Sequence, residues 1–162
     1  MGQNGREREG PGSVNPVDII TVDSVSMQVP PGWEASRQNG EALVLAPATG
    51  GFRPNLTLRT RPFEGTAGRA ATQEAAGVLA ALESPQVLSW NLWPYSGAEG
   101  RWIEYTYETP EAVLHVQQWF HLRDGLLTTC TATCRTSQLP AYDQAFSVMA
   151  GSIHAQDGTR DG

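Results

Sequence analysis

Two cysteines, three histidines and a scatter of acidic side chains are the residues of this 162-residue chain that could carry chemistry. Cys130 and Cys134 stand four apart in a stretch that reads as a strand. At about 3.3 Å per residue their Cα atoms are about 13 Å apart, whereas a disulfide spans at most about 7 Å. They are therefore expected as reduced thiols in a core. A metal site is the sharper alternative, because His115 falls opposite Cys134 in the register derived below and His121 shares that face. Neighbours on strands seldom converge on a tetrahedral point, however, and the paired cysteines of a zinc knuckle are missing. There is no Gly-x-Ser-x-Gly elbow, no phosphate-binding glycine loop ending in Lys-Ser or Lys-Thr, and no His-Glu-x-x-His helix. Glu104, Glu108 and Glu111 sit in or beside one strand, where a solvated edge accounts for them more simply than an acid–base pair. The expectation is a protein with no catalytic residues, no metal and no cofactor.

The element that must position these residues runs from Arg101 to Arg135 and reads as three antiparallel strands. Asp124-Gly125 is a strong two-residue hairpin signal, since the turn needs positive φ at both positions and Asp and Gly tolerate it. That turn sets His115 opposite Cys134, Gln117 opposite Ala132, Trp119 opposite Cys130 and His121 opposite Thr128 on one face. Leu114, Val116, Gln118, Phe120 and Leu122 point to the other. With an even loop at residues 109–112, Ile103, Tyr105 and Tyr107 join the second face and Trp102, Glu104 and Thr106 the first. Apolar residues on both faces call for a cover on each.

Two helical patterns supply covers. Ala71, Ala75, Val78, Leu79 and Leu82 form a stripe in a helix expected over about 67–83, ended by Ser84-Pro85. Leu139, Tyr142, Phe146, Met149 and Ile153 form another over about 139–153, with Pro140 in its first turn and Asp143 near its positive end. Short strands are expected at 19–22, 26–29, 42–46, 55–60 and 87–95, with a turn at Gly97-Ala98-Glu99-Gly100. The fold class is thus α+β: an α/β/α sandwich whose central, mostly antiparallel sheet has about 6–8 strands. Residues 1–17 and 156–162 read as disordered, leaving one domain over 18–155.

Composition narrows the partners. The net charge is −6, and all 11 basic residues are arginine, with no cluster that would grip phosphates, so no nucleic-acid partner is expected. The absent lysine reads as codon bias. No stretch is apolar enough for a signal-peptide core or a membrane span, so a cytoplasmic location without membrane insertion is expected for the chain as given. Asn55-Leu56-Thr57 has the form of a glycosylation sequon, but it lies in an expected strand.

The five tryptophans are the better lead. Trp102 and Trp119 should be cross-strand neighbours. Packing under a helix is the ordinary fate of such rings. The functional alternative is an apolar groove floored by Trp102, Trp119 and Ala132, with His115, Gln117 and His121 supplying hydrogen bonds to a bound segment. Between the two, Trp119 is expected to be partly exposed and Phe120 buried.

Four motifs bear a family resemblance: the VPPGW of Val29 to Trp33, the RPNLTLR of Arg53 to Arg59, the GRWIEYTYE of Gly100 to Glu108, and HVQQWFHLRDGLLTTCTATC followed by a closing helix. In order and spacing the chain resembles the PsbP-like superfamily, near the DcrB and LpqN/LpqT groups and the related Eag-type secretion chaperones, over about Val25 to His154. The resemblance implies an antiparallel sheet flanked by helices, no cofactor, and non-catalytic handling of another protein. In the Eag-type branch similar domains hold hydrophobic helices of secreted effectors on the sheet, which would map onto His115, Gln117 and Trp119. The function expected is a protein-binding adaptor or chaperone for a secreted or membrane-directed partner, with a homodimer compatible. The alternatives are a small-molecule or lipid binder using the Trp-lined face, and an exported LpqN-like lipoprotein whose signal is missing from this chain.

Overall fold

The computed structural model describes residues 17–93 and 99–156. Its centre is the hairpin pair anticipated from the turn chemistry. Asp124 and Gly125 take φ of 50° and 75°. They join strands Val113–Arg123 and Leu126–Arg135 in the expected register, with His115 opposite Cys134 and Trp119 opposite Cys130. Glu99–Glu108 adds on the other side and places Trp102 opposite Trp119 and Tyr105 opposite Val116.

Numbered in chain order, the strands are β1 (Asp18–Val22), β2 (Val25–Val29), β3 (Glu34–Gln38), β4 (Glu41–Leu45), β5 (Asn55–Pro62), β6 (Glu83–Leu92), β7 (Glu99–Glu108), β8 (Val113–Arg123), β9 (Leu126–Arg135) and β10 (His154–Ala155). Seven of them form one antiparallel sheet in the order β3-β4-β5-β9-β8-β7-β6. The sequence reading put the early strands in this same sheet. Instead β1 and β2 pair as a hairpin and, with β10, make a separate three-stranded sheet. Alternation explains the split: Ile20 and Val22 of β1 and Val25, Met27 and Val29 of β2 all turn inward as a lid on the large sheet. The lid is tied down by a hydrogen bond from the Thr60 hydroxyl to the Asp23 carboxylate and by Arg37 donating to the Thr21 carbonyl at 3.2 Å.

Each face of the large sheet has its helix. Helix α1 (Ala67–Ala81) starts where the Thr66 hydroxyl accepts from the Arg69 N–H at 3.1 Å, the usual way of satisfying an orphan donor. It ends two residues earlier than the sequence suggests, because Leu82 already leaves the helix and Ser84 takes a left-handed φ of 46°. Its contact face is made of Ala70, Ala71 and Ala75, small enough to bring the helix close to Ile103, Tyr105, Val116, Phe120 and Leu127. Helix α2 (Leu139–Gly151) buries Phe146, Met149 and Ala150 on the opposite face, together with the β1–β2 lid, Leu56, Leu58, Trp119, Cys130 and Cys134. The expected strand over 87–95 begins earlier, at Glu83, and the described part ends at Leu92. Residues 94–98, and with them Gly97 and Ala98 of the anticipated turn, lie outside the described residues, as do all but Val17 of the expected arm over 1–17 and all but Gln156 of the expected tail over 156–162.

Candidate functional site

Four of the five residues expected to line a groove are buried on the α2 side. His115, Gln117, Trp119 and His121 lie within the core, and Trp102 is half-buried at its margin. Trp119 is only 1% exposed, so the expectation of a partly open ring fails, while Phe120 is buried as expected. The reason is the β1–β2 hairpin: helix α2 and this second small sheet together close a face that one helix would have left partly open.

Beneath α2 the polar side chains form a network. His115 Nε2 donates to Glu104 Oε1 at 2.5 Å, and Gln117 Nε2 donates to Asp143 Oδ1 at 2.8 Å with a longer approach of 3.5 Å to Glu104. Asp143, expected to serve the helix dipole, is therefore engaged in docking α2 onto β8. Burial holds the chemistry of this face down. It raises the Cys130 thiol, and it raises Cys134 to about 11, with the nearby Asp143 carboxylate adding to the effect. Neither is a thiolate near neutral pH. Desolvation lowers His121 to about 4, keeping it neutral. Among the described residues no three His, Cys, Asp or Glu side chains converge as metal ligands. The arrangement fixes the helix on the sheet.

The α1 side is different. This helix crosses β7 and β8, and along its C-terminal half an open cleft of about 430 Å³ separates it from β9. Val78 and Leu82 form one wall, Tyr105, Tyr107 and Val116 the floor, and Thr131 and Thr133 the far side. An ion pair between Arg59 and Glu74 at 2.7 Å spans from β5 to the helix at one end. Desolvation raises both Tyr105 and Tyr107, so their hydroxyls are neutral. Beyond the cleft the same face continues over β9, β5 and β4 as half-buried Thr131, Thr133, Thr57, Leu43 and Leu45.

No protein-family model matches the sequence, and neither does any curated protein. Solved structures do. Cyanobacterial PsbP (CyanoP) from Synechocystis sp. PCC 6803 superposes with a TM-score of 0.65 at 14% identity, over 91% of this chain and 98% of that one. LpqN, involved in cell envelope biogenesis of Mycobacterium tuberculosis, gives a TM-score of 0.65 at 14% identity, over 88% and 87% of the two chains. The Pseudomonas aeruginosa protein of unknown function PA94 gives 0.64 at 14% identity, over 88% and 99%. The fold is PsbP-like.

Within this PsbP-like fold the sequence reading placed the apolar rings correctly across from one another and missed which face is open. The α1-side cleft went unnoticed because its lining alternates Thr and Tyr with Val, a pattern that a half-buried strand shows anyway. One signal was available: Thr131 and Thr133 stand opposite Gln118 and Val116, a polar stretch of the row that marks a sheet face only partly sealed from water. No helix of the described PsbP-like domain is long and apolar enough to cross a membrane.

Proposed function

We propose that this PsbP-like domain is a non-catalytic module that holds a helical segment of another polypeptide, acting as an adaptor or chaperone for a secreted or membrane-directed partner. The observation that carries the reading is the uncovered half of the α1 face. Helix α1 occupies β7 and β8, and among the described residues no helix covers β9, β5 and β4 on that face. Three strands spaced about 4.8 Å apart offer a width of about 14 Å, and a helix with its side chains is about 10–12 Å across. One further helix fits beside α1, its underside over Thr131, Thr133 and Thr57 and its apolar flanks against Val78 and Leu82 on one side and Leu43 and Leu45 on the other. The thiols and His121 of the opposite face are buried and neutral, and His115 is buried in the network that docks α2, which is consistent with binding without catalysis.

The test uses a fluorescein-labelled model peptide that folds into an amphipathic helix with a Leu/Ala face, titrated by anisotropy. Saturable binding is expected, weakened at least tenfold by Thr131→Arg, which drives a charged stem across the cleft, and unchanged by Gln144→Arg on the outer side of α2. No saturable binding, or equal binding by both variants, would sink the proposal.

A further inference from the structure

The two edges of the large sheet are unlike. β3 is five residues long, exposed throughout, and carries Glu34 and Arg37, charges of the kind that keep an edge from pairing with another chain. β6 is ten residues long and uncharged from Ser84 to Leu92. Val87, Leu88, Trp90 and Leu92 are 45%, 53%, 43% and 69% exposed. Among the described residues its outer edge pairs with nothing. Ser84, with its left-handed φ, and Pro85, which has no N–H, spoil the start of that edge, so the usable stretch is Gln86 to Leu92.

The faces of this stretch follow from its pairing with β7. Val87 opposite Tyr105, Trp90 opposite Ile103 and Leu92 opposite Arg101 lie on the α1 side. Gln86 opposite Thr106 and Asn91 opposite Trp102 lie on the α2 side, and a bulge at Leu88 makes the switch. That pattern is complementary to itself. When two copies of the strand run antiparallel about a two-fold axis between Leu88 and Ser89, Val87 meets Trp90 of the other copy on one face and Gln86 meets Asn91 on the other. Aromatic against β-branched and amide against amide are favourable cross-strand pairs. The uncharged strand also lets two chains, each of net charge −6, approach without opposed carboxylates along the contact.

We propose that β6 is a homodimer edge, joining two large sheets into one continuous sheet through β6–β6 pairing in this register. It uses the outer edge of β6, which points away from the α1-side cleft floored by β7 and β8. A closed two-fold contact of this kind uses up the edge and does not propagate.

Sedimentation equilibrium over a range of protein concentrations should give the mass of two chains. Trp90→Lys should shift it to one chain with the circular dichroism spectrum intact, whereas Val148→Lys, at a more exposed apolar residue of α2, should not. The register is read with Gln86→Cys plus Asn91→Cys, which should form a disulfide-linked dimer on mild oxidation. Gln86→Cys alone should not, because equivalent residues would be five positions, about 17 Å, out of register. Cys130 and Cys134 are buried and stay out of the exchange. A single chain at all concentrations, which would leave the edge to an extended segment of a different protein, overturns the proposal. So does a dimer indifferent to Trp90→Lys, or a double-cysteine variant that remains unlinked.

Discussion

Trp93 meets Trp119 edge to face, with ring centroids 6.1 Å apart and planes at 70°. The contact joins the residue after β6 to the middle of β8 across the intervening strand, and it depends on residue 100 being glycine. A Cβ there would collide with the Trp93 carbonyl, whose own N–H is held by the Gly100 carbonyl at 3.2 Å. The Trp-rich face is thereby a closed core with α2 on top, and the predictions for it are those of a core.

Trp119→Ala and Phe120→Ala should be comparably severe, each costing about 3–5 kcal/mol, a large part of the roughly 5–15 kcal/mol available to a domain. Trp102→Ala, at a half-buried position, should cost distinctly less. Denaturant unfolding of the three variants checks the order, and a mild Trp119→Ala would reopen the groove.

Glu104→Ala strips the buried His115 of its acceptor at 2.5 Å. The loss should be about 1–3 kcal/mol, the usual cost of orphaning a buried polar group. Glu104→Gln, which retains an acceptor oxygen, should recover much of it. Equal stability of all three proteins by urea melts would mean that the network contributes nothing to docking α2.

Acid should weaken the fold through His121. Its folded value is lowered to about 4 from an ordinary 6.5, so between those values the unfolded chain takes up a proton that the folded chain refuses. The contribution is fully present above pH 6.5 and is lost as pH falls toward 4, at up to about 1.4 kcal/mol per pH unit from this group. His121→Gln should flatten that part of the stability profile. A profile identical to that of the unsubstituted chain would assign the acid sensitivity elsewhere.

Both thiols should be silent toward a thiol reagent in the native protein and react together on unfolding. Burial denies access and raises both groups away from the thiolate form. Fast labelling of one cysteine under native conditions would place it outside the core.

The central hairpins were legible because local chemistry settles them. Asp124-Gly125 admits few turns, and one turn fixes the partners of eight or more residues along β8 and β9. The same signal stands at Asn39-Gly40, with φ of 51° and 78°, and joins β3 to β4. It passed unread because β3 is exposed on both faces and shows no apolar alternation. Which sheet β1 and β2 join could not be read, since an inward-facing apolar row looks the same whether its strand extends a sheet or lies over one. The exposure of Trp119 depended on that placement. Residue pairing was thus local information, and the cover over it was not.

Site-specific photo-crosslinking in cells of the source organism tests most directly whether the α1 face is the one that holds a polypeptide. A benzophenone amino acid is placed at Thr131 in one variant and at Gln144, on the exposed side of α2, in another. The prediction is a discrete crosslinked product from position 131, mapped by mass spectrometry to an apolar helical stretch of one partner, and none from position 144. Crosslinking from position 144 with none from 131 would contradict the account.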